Sequence, residues 1–229
     1  MKVLHIIATP RNVKSNTLQV SKVFLDALAA HHPEMQIDVV DLFDSDLPAL
    51  AGANIEAKYT LLQGQPIDKD HEESWRQIET LIQHFLSADA YVISAPMWNF
   101  GIPYTLKYYI DCLVQPGYVF GFNETGVVPM VHGKRMVCVT ARGSDYSPSS
   151  PLHPYDFQEP YLRSIFGFIG ITDIEFISVQ PTDITALREA AFATALKEAQ
   201  SLADSPSWSA EALSPSALPP SAPDVALRT

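Results

Sequence analysis

The sequence has few basic residues and contains no long apolar run. Its 15 lysines and arginines stand against 26 aspartates and glutamates, which gives a net charge of −11 at pH 7. Such a negative surface disfavours binding to nucleic acid and to anionic membranes, because both interactions depend on basic patches. No stretch approaches the roughly 20 apolar residues of a transmembrane helix. We therefore expect a cytoplasmic protein that binds neither nucleic acid nor membrane.

Cysteines and the common nucleotide-binding motifs are also scarce. The only two cysteines, Cys112 and Cys138, show no CxxC or metal-ligand spacing. This pattern is typical of reduced, buried thiols rather than of a disulfide or a metal site, so we expect no bound metal. The loop after the first apolar run lacks both GxGxxG and GxxxxGK[ST]. That absence disfavours a Rossmann dinucleotide site and an ATP-type P-loop.

What the sequence does contain is a regular alternation of strands and helices. Short apolar runs rich in β-branched and aromatic residues indicate strands, and apolar residues at helical spacing lie between them. This alternation favours a parallel sheet covered on both faces, for which the commonest five-stranded order is 2-1-3-4-5. We therefore predict an α/β fold, a flavodoxin-like three-layer sandwich with a five-stranded parallel sheet. The predicted strands span residues 3–8, 36–42, 91–95, 136–140 and 173–179.

Two segments lie outside this alternation. The aromatic run from Tyr118 to Phe122, followed by a turn at residues 123–126, predicts a small hairpin or flap. Beyond Asp204 the composition changes to proline, serine and alanine, which bury too little apolar surface to order a chain. We therefore predict one domain over residues 1–203 and a disordered tail over residues 204–229.

The segment after the third predicted strand has an unusual composition for a loop. Pro96 ends the strand, and Met97, Trp98, Asn99 and Phe100 come directly after it. In an open parallel sheet, ligands bind outside the carboxyl ends of the strands. This loop offers apolar rings, an amide and backbone N–H groups to a flat ligand with polar edges. The segment therefore indicates a cofactor site.

The loops after the first and fourth strands complete this candidate site. Thr9 and Arg11 precede Ser15-Asn16-Thr17, where a helix begins. Hydroxyls and free N–H groups at a helix N-terminus can hold a phosphate, although Ser-Asn-Thr also serves as an ordinary helix cap. In the other loop, Gly143 allows the backbone to approach a ring closely. Because these loops follow neighbouring strands, they can hold a phosphate and a planar heterocycle together, which describes FMN.

These residues resemble the family of FMN-dependent NADH-azoreductases and NADH:quinone oxidoreductases, which are homodimers with a flavodoxin-like fold. The segment Pro96-Met97-Trp98-Asn99-Phe100 is similar to a family motif that usually has Tyr between Met and Asn. Thr140-Ala141-Arg142-Gly143-Ser144 is similar to the family's Ser-Arg-Gly-Gly, and residues 166–171 match by order and spacing. The resemblance runs from residue 1 to about residue 202. The departures at Ala141 and Ser144 bear on substrate preference more than on FMN binding.

The resemblance implies a homodimeric enzyme that passes two electrons from NADH or NADPH through FMN to quinones or azo compounds. The implied mechanism is ping-pong, with hydride delivered to the flavin N5, so no protein residue is expected to act as the catalytic group. By position, the first loop would bind the phosphate and ribityl chain, and the other two loops would line the ring. The implied cofactor-binding residues are Thr9, Arg11, Ser15, Asn16, Thr17, Pro96, Met97, Trp98, Asn99, Phe100, Ala141, Arg142, Gly143 and Ser144.

Two other interpretations remain open from the sequence. A flavodoxin-like carrier would pass single electrons to a partner, and a regulatory protein would keep the fold without the cofactor. The Met-Trp-Asn-Phe loop and the long segment between the second and third strands favour the enzyme. Rapid bleaching of the flavin by NADH would separate an enzyme from a carrier, and failure to take up FMN would indicate the regulatory protein.

Overall fold

The structure, a computed structural model, describes residues 1–209 and residue 212. This part of the chain contains seven strands and six α-helices. The strands are β1 (Lys2–Ile7), β2 (Gln36–Asp41), β3 (Ala90–Pro96), β4 (Phe120–Asn123), β5 (Gly126–Pro129), β6 (Arg135–Ala141) and β7 (Asp173–Val179). The helices are α1 (Asn16–His31), α2 (Ala53–Leu62), α3 (Lys69–Leu86), α4 (Tyr104–Leu113), α5 (Gln158–Ile169) and α6 (Thr185–Ala203).

Five of the strands form one parallel sheet in the order β2-β1-β3-β6-β7. Counted within the sheet alone, this order is 2-1-3-4-5, so the predicted fold is confirmed. The strands β4 and β5 form a separate antiparallel hairpin at the predicted position. Because β1, β3 and β6 are neighbours and run in the same direction, the loops that follow them open at one edge of the sheet.

Apolar side chains cover both faces of the sheet, as a parallel sheet with crossover helices requires. The helices α1 and α6 pack on one face, where Val92 and Val139 lie. The helices α3, α4 and α5 pack on the other face, and Trp75 is one of its largest buried residues. Both cysteines are free and buried. In the described part of the chain, no helix has the length and apolar character to cross a membrane.

The structure refines two features of the predicted organisation. The sequence predicts an irregular segment between residues 44 and 69 with one short helix, and α2 is that helix. After α6 the chain continues into a 3₁₀ turn, Pro206–Trp208, in which Trp208 is only 1% exposed. Residues 206–208 therefore contact the domain, although the composition predicts a boundary at residue 203. Most of the predicted disordered tail lies outside the described residues.

A buried chain of hydrogen bonds joins β1, β3 and α1 below the loop that follows β1. The Nε2 atom of His5 lies 2.8 Å from the hydroxyl of Ser94. That hydroxyl donates to Ser21, which in turn donates to the carbonyl of Leu18. Since the hydroxyl proton of Ser94 is donated to Ser21, the Nε2–H group of His5 donates to Ser94. Burial lowers the pKa of His5 to about 4.

This buried histidine predicts a loss of stability in mild acid. In the unfolded chain His5 binds a proton near its ordinary pKa of about 6.5, whereas the folded chain resists protonation down to about pH 4. The free energy of unfolding should therefore fall as the pH decreases through this window, by about 3 kcal/mol from His5 alone. Urea unfolding of the wild type and of His5→Gln between pH 7 and pH 4 measures this effect. The variant should show a flatter dependence, and equal slopes would contradict the assignment.

Candidate active site

The three loops singled out by the sequence meet at the carboxyl edge of the sheet. Backbone hydrogen bonds connect them in pairs. Ala8, just after β1, donates to the carbonyl of Ser94 in β3 at 2.9 Å. Met97, just after β3, donates to the carbonyl of Ala141 at the end of β6, also at 2.9 Å. These bonds bring the predicted loops into one continuous rim.

The first loop ends at the N-terminus of α1, which offers unpaired donors. The hydroxyl of Ser15 accepts from the N–H of Leu18 and bonds to the Thr17 hydroxyl at 2.8 Å. Within residues 1–209, the N–H groups of Asn16 and Thr17 find no acceptor. The positive end of a helix with free N–H groups favours an anion. This terminus therefore has the cap that the sequence predicts, and it also has the free N–H donors that an anion site needs.

The two flanking residues of this loop are placed differently from each other. Thr9 is 1% exposed, and its Oγ1 lies 3.5 Å from the N–H of Arg11. Arg11 is exposed, and its guanidinium forms no ion pair among the described residues. The arginine is thus free to approach a negatively charged group beside the N-terminus of α1.

The loop after β3 is a tight turn that projects its residues outward. Trp98 and Gly101 exchange two backbone hydrogen bonds of 3.0 Å. Between them Asn99 and Phe100 adopt positive φ angles of 47° and 70°. Such angles are unfavourable for residues other than glycine, so they indicate a turn held by its surroundings, often at a functional site. Within the described chain, the two N–H groups and the Asn99 amide have no partner.

Aromatic side chains surround this turn on both sides. Trp98 contacts Phe43 and Tyr104, with ring centroids 6.0 and 6.2 Å away. Phe100, which is 44% exposed, lies 5.5 Å from the ring of Tyr155. Phe43 is not among the residues that the sequence assigns to the site. Its position two residues after β2 is a signal that would have found it, because the loops after β1, β3 and β6 are assigned on the same ground.

The loop after β6 presents Gly143 and Ser144 at the rim. Their N–H groups have no acceptor within the part of the chain that the structure describes. A Cβ atom on Gly143 would lie 2.3 Å from a carboxylate oxygen of Asp183. The space beside Gly143 is therefore filled by the side chain of Asp183, a neighbour that the sequence does not reveal. The sequence predicts that a ligand ring approaches the backbone of Gly143 closely, and the group that does so in the structure is this carboxylate.

Arg142 is placed differently from the other predicted site residues. Its guanidinium is buried against Asp156 and does not reach the rim. Its N–H donates to the carbonyl of Val179, and its carbonyl accepts from Thr182. Its backbone groups, Nε and Nη1 are engaged within the protein, whereas Nη2 is buried and has no hydrogen-bond partner among the described residues. The geometry gives it a role in holding the loop.

These features together fit a planar ligand that carries a terminal phosphate, as FMN does. The N-terminus of α1 supplies two unpaired N–H donors for the phosphate. The turn after β3 supplies exposed rings, and both ring loops supply further unpaired N–H groups that match the acceptors on the edge of an isoalloxazine. Unpaired donors gathered at one rim would be costly to leave unsatisfied if the site were covered. The residues present therefore fit an FMN site.

Comparison with known proteins points in the same direction. The flavodoxin-like fold family matches residues 1–203. An FMN-dependent NADH:quinone oxidoreductase of Nostoc punctiforme is 43% identical over 178 residues, which cover 78% of this chain and 86% of that protein. A protein of the same name from Desulfotalea psychrophila is 39% identical over 204 residues, which cover 88% of this chain and 96% of that protein.

Solved structures of similar fold carry related names. An azoreductase from Bacillus anthracis str. Sterne superposes with a TM-score of 0.81 at 26% identity, and the match covers 89% of this chain and 99% of that one. An FMN-dependent NADH-azoreductase from the Ames Ancestor strain of the same organism was solved in complex with FMN. It superposes with a TM-score of 0.76 at 28% identity, covering 88% of this chain and 99% of that one.

Proposed function

Because this chain belongs to the flavodoxin-like fold family, we propose that it is an FMN-dependent oxidoreductase that transfers two electrons from NADH to quinones or azo compounds. The names of its relatives support the activity, and they favour it over a single-electron carrier or a regulatory protein. One observation in this chain carries the proposal. Three loops, joined by hydrogen bonds at the carboxyl edge of the sheet, present unpaired N–H donors and exposed aromatic rings on one rim.

The parts of FMN are divided among the three loops. The N–H groups of Asn16 and Thr17 hold the phosphate, and the exposed cation of Arg11 adds to the attraction. The turn after β3 places Trp98 and Phe100 beside the ring system. The N–H groups of Gly143 and Ser144 face its polar edge. This division follows the sequence prediction for the three loops, and the buried side chain of Arg142 supports the third loop from within.

Bound FMN supplies the redox chemistry, accepting two electrons as hydride from NADH and passing them to the acceptor. The protein contributes position and electrostatics. Donors from Asn99, Gly143 and Ser144 favour negative charge at the ring edge, because preorganised N–H dipoles need no reorganisation during the reaction. The exposed rings of Phe100 and Tyr155, which are tilted by 36° to each other, provide apolar surface beside the site against which a planar donor and a planar acceptor can pack in turn. One surface serving both substrates is consistent with ping-pong exchange.

The first test of this proposal is the absorption spectrum of the purified full-length protein under anaerobic conditions. The protein should bind FMN, and its flavin bands should disappear within the first seconds after mixing with NADH. Addition of a quinone or an azo dye should then restore the bands. The matched control is free FMN at the same concentration, which should react far more slowly.

Two outcomes would contradict the proposed function. A protein that binds FMN but is bleached only when a separate reductase is added would be a carrier. A protein that stays colourless after incubation with FMN would be a regulatory protein of the same fold.

The proposal extends to assembly and location. A homodimer is supported by the family resemblance and by exposed apolar residues next to the site, since Tyr104 is 68% exposed, Phe157 59% and Tyr155 50%. Large apolar side chains gathered in one region are more typical of an interface than of a free surface. A cytoplasmic location is supported by the two free, buried cysteines, because a reducing compartment keeps thiols in this form.

A further inference from the structure

A buried polar network lies directly beneath the loops that follow β3 and β6. At its centre the guanidinium of Arg142 pairs with the carboxylate of Asp156 at 2.9 Å, and both side chains are at most 5% exposed. A second carboxylate, from Glu159, lies 3.7 Å from the same guanidinium. Burying an ion pair sacrifices the hydration of both charges, so such a pair is weak evidence for stability. Its position between two loops of the site suggests a geometric role.

Gln158 connects this ion pair to the end of β3. Its side chain is fully buried, and its Oε1 accepts from Nε of Arg142 at 3.4 Å. Its Nε2 donates to the carbonyls of Ala95 and Pro96 at 3.2 and 3.1 Å. The acceptor end of the amide therefore serves the loop after β6, and the donor end serves the loop after β3. Only a side chain with both a donor and an acceptor at this length can make this connection.

Asp156 ties the same network to the start of α5. One of its carboxylate oxygens accepts from the N–H groups of Gln158 and Glu159 at 3.0 and 3.1 Å. The N–H of Phe157, which lies between Asp156 and Gln158, donates to the carbonyl of Phe100 at 3.0 Å. The first turn of α5 is therefore fixed to the turn after β3 as well as to the loop after β6.

We propose that Gln158 and Asp156 are positioning residues that set the separation of the two ring-binding loops. This inference rests on the proposed function, because it assigns the network to the FMN site. Both residues are buried beneath the rim, so they would act through the loops and not on the flavin itself. They act by holding the turn at Trp98–Gly101 and the donors at Gly143 and Ser144 in one arrangement. A misplacement of about 1 Å in such a site can lower a rate roughly 100-fold.

The test replaces Gln158 with methionine, which keeps the length and volume of the side chain but removes both hydrogen-bonding ends. The matched control is Gln115→Met, because Gln115 is also fully buried but donates only to the backbone of Asp111, within its own segment. Four quantities are compared in the FMN-bound proteins and in the wild type: the unfolding midpoint in urea, the shape of the flavin absorption bands, the midpoint potential of the flavin, and its rate of reduction by NADH.

Gln158→Met should lower the reduction rate about 10- to 100-fold and move the bands and potential toward those of free FMN. Gln115→Met should leave all three flavin properties unchanged. Its urea midpoint should fall less than that of Gln158→Met, because Gln115 makes one side-chain hydrogen bond and Gln158 makes three. If Gln158→Met keeps wild-type bands, potential and rate, the positioning role is wrong while the proposed function stands. A wild type that fails to bind FMN or to react with NADH would instead refute the function. Should the methionine variant not fold, Gln158→Asn provides the same comparison, because its shorter amide cannot span the two loops.

Discussion

Replacing Asn16 with aspartate should weaken FMN binding about 100-fold and at the same time stabilise the FMN-free protein slightly. Asn16 is the first residue of α1, and its N–H group is one of the two unpaired donors at that helix terminus. The substitution keeps the size of the side chain and adds one negative charge. The added charge is attracted by the helix dipole in the FMN-free protein, which stabilises it. In the FMN-bound protein the same charge repels the phosphate, which weakens binding.

The magnitudes follow from simple electrostatics. A carboxylate at a helix N-terminus stabilises the helix by about 0.3–1 kcal/mol. Two unit charges roughly 5–8 Å apart near a protein surface repel by about 2–3 kcal/mol, which corresponds to a loss of roughly 30- to 150-fold in affinity. Since this repulsion acts near solvent, it should decrease as the salt concentration rises.

The measurement is a fluorescence titration of FMN with the FMN-free protein at two salt concentrations, together with its melting temperature. The matched control is Gln36→Glu, which adds the same charge at the exposed start of β2, on the opposite edge of the sheet. The control should leave the affinity for FMN within about twofold of the wild type. Equal losses in the two variants would mean that only net charge matters, and the phosphate would then not lie at α1.

Much of the fold could be predicted because burial imposes a pattern on the sequence. The predicted fifth strand has the same bounds as β7. Apolar residues at helical spacing from Trp75 to Phe85 predict a helix over Asp70–Ser87, which differs from α3 by one residue at each end. In α3 the residues at helical spacing are the buried ones, among them Trp75 and Phe85. By contrast, α2 buries only Asn54 and Ala57, so it leaves little apolar periodicity to detect.

Some features of the site can likewise be predicted from the local sequence, and others cannot. Loops at the ends of strands could be identified from the strands alone, and the N–H groups at Asn16 and Thr17 follow from where a helix begins. The inward orientation of Arg142 could not be predicted, because its partner Asp156 lies in a different segment of the chain. Both are charged residues, and charged residues are usually exposed. The two loops are therefore recognisable from sequence, whereas the network that fixes their separation is visible only in three dimensions.

Replacing Trp208 with alanine should lower the free energy of unfolding by about 3–5 kcal/mol, as expected for a large aromatic residue removed from a packed core. The indole is 1% exposed and meets the ring of Phe24 edge to face, with centroids 5.0 Å apart. The carbonyl of Trp208 also accepts a hydrogen bond of 2.7 Å from Nε2 of His32. These contacts join the segment after α6 to α1, although its composition predicts disorder.

Trp208→Phe is the matched control, because it separates ring packing from the polar N–H group. The indole Nε1 is buried and has no hydrogen-bond partner among residues 1–209, so losing it removes an unsatisfied donor. Phenylalanine should therefore retain most of the stability, with a loss below about 1.5 kcal/mol. Urea unfolding measures both variants. Equal stability of the alanine variant and the wild type would show that residues 204–208 do not belong to the packed domain, and the boundary predicted from composition would then be the correct one.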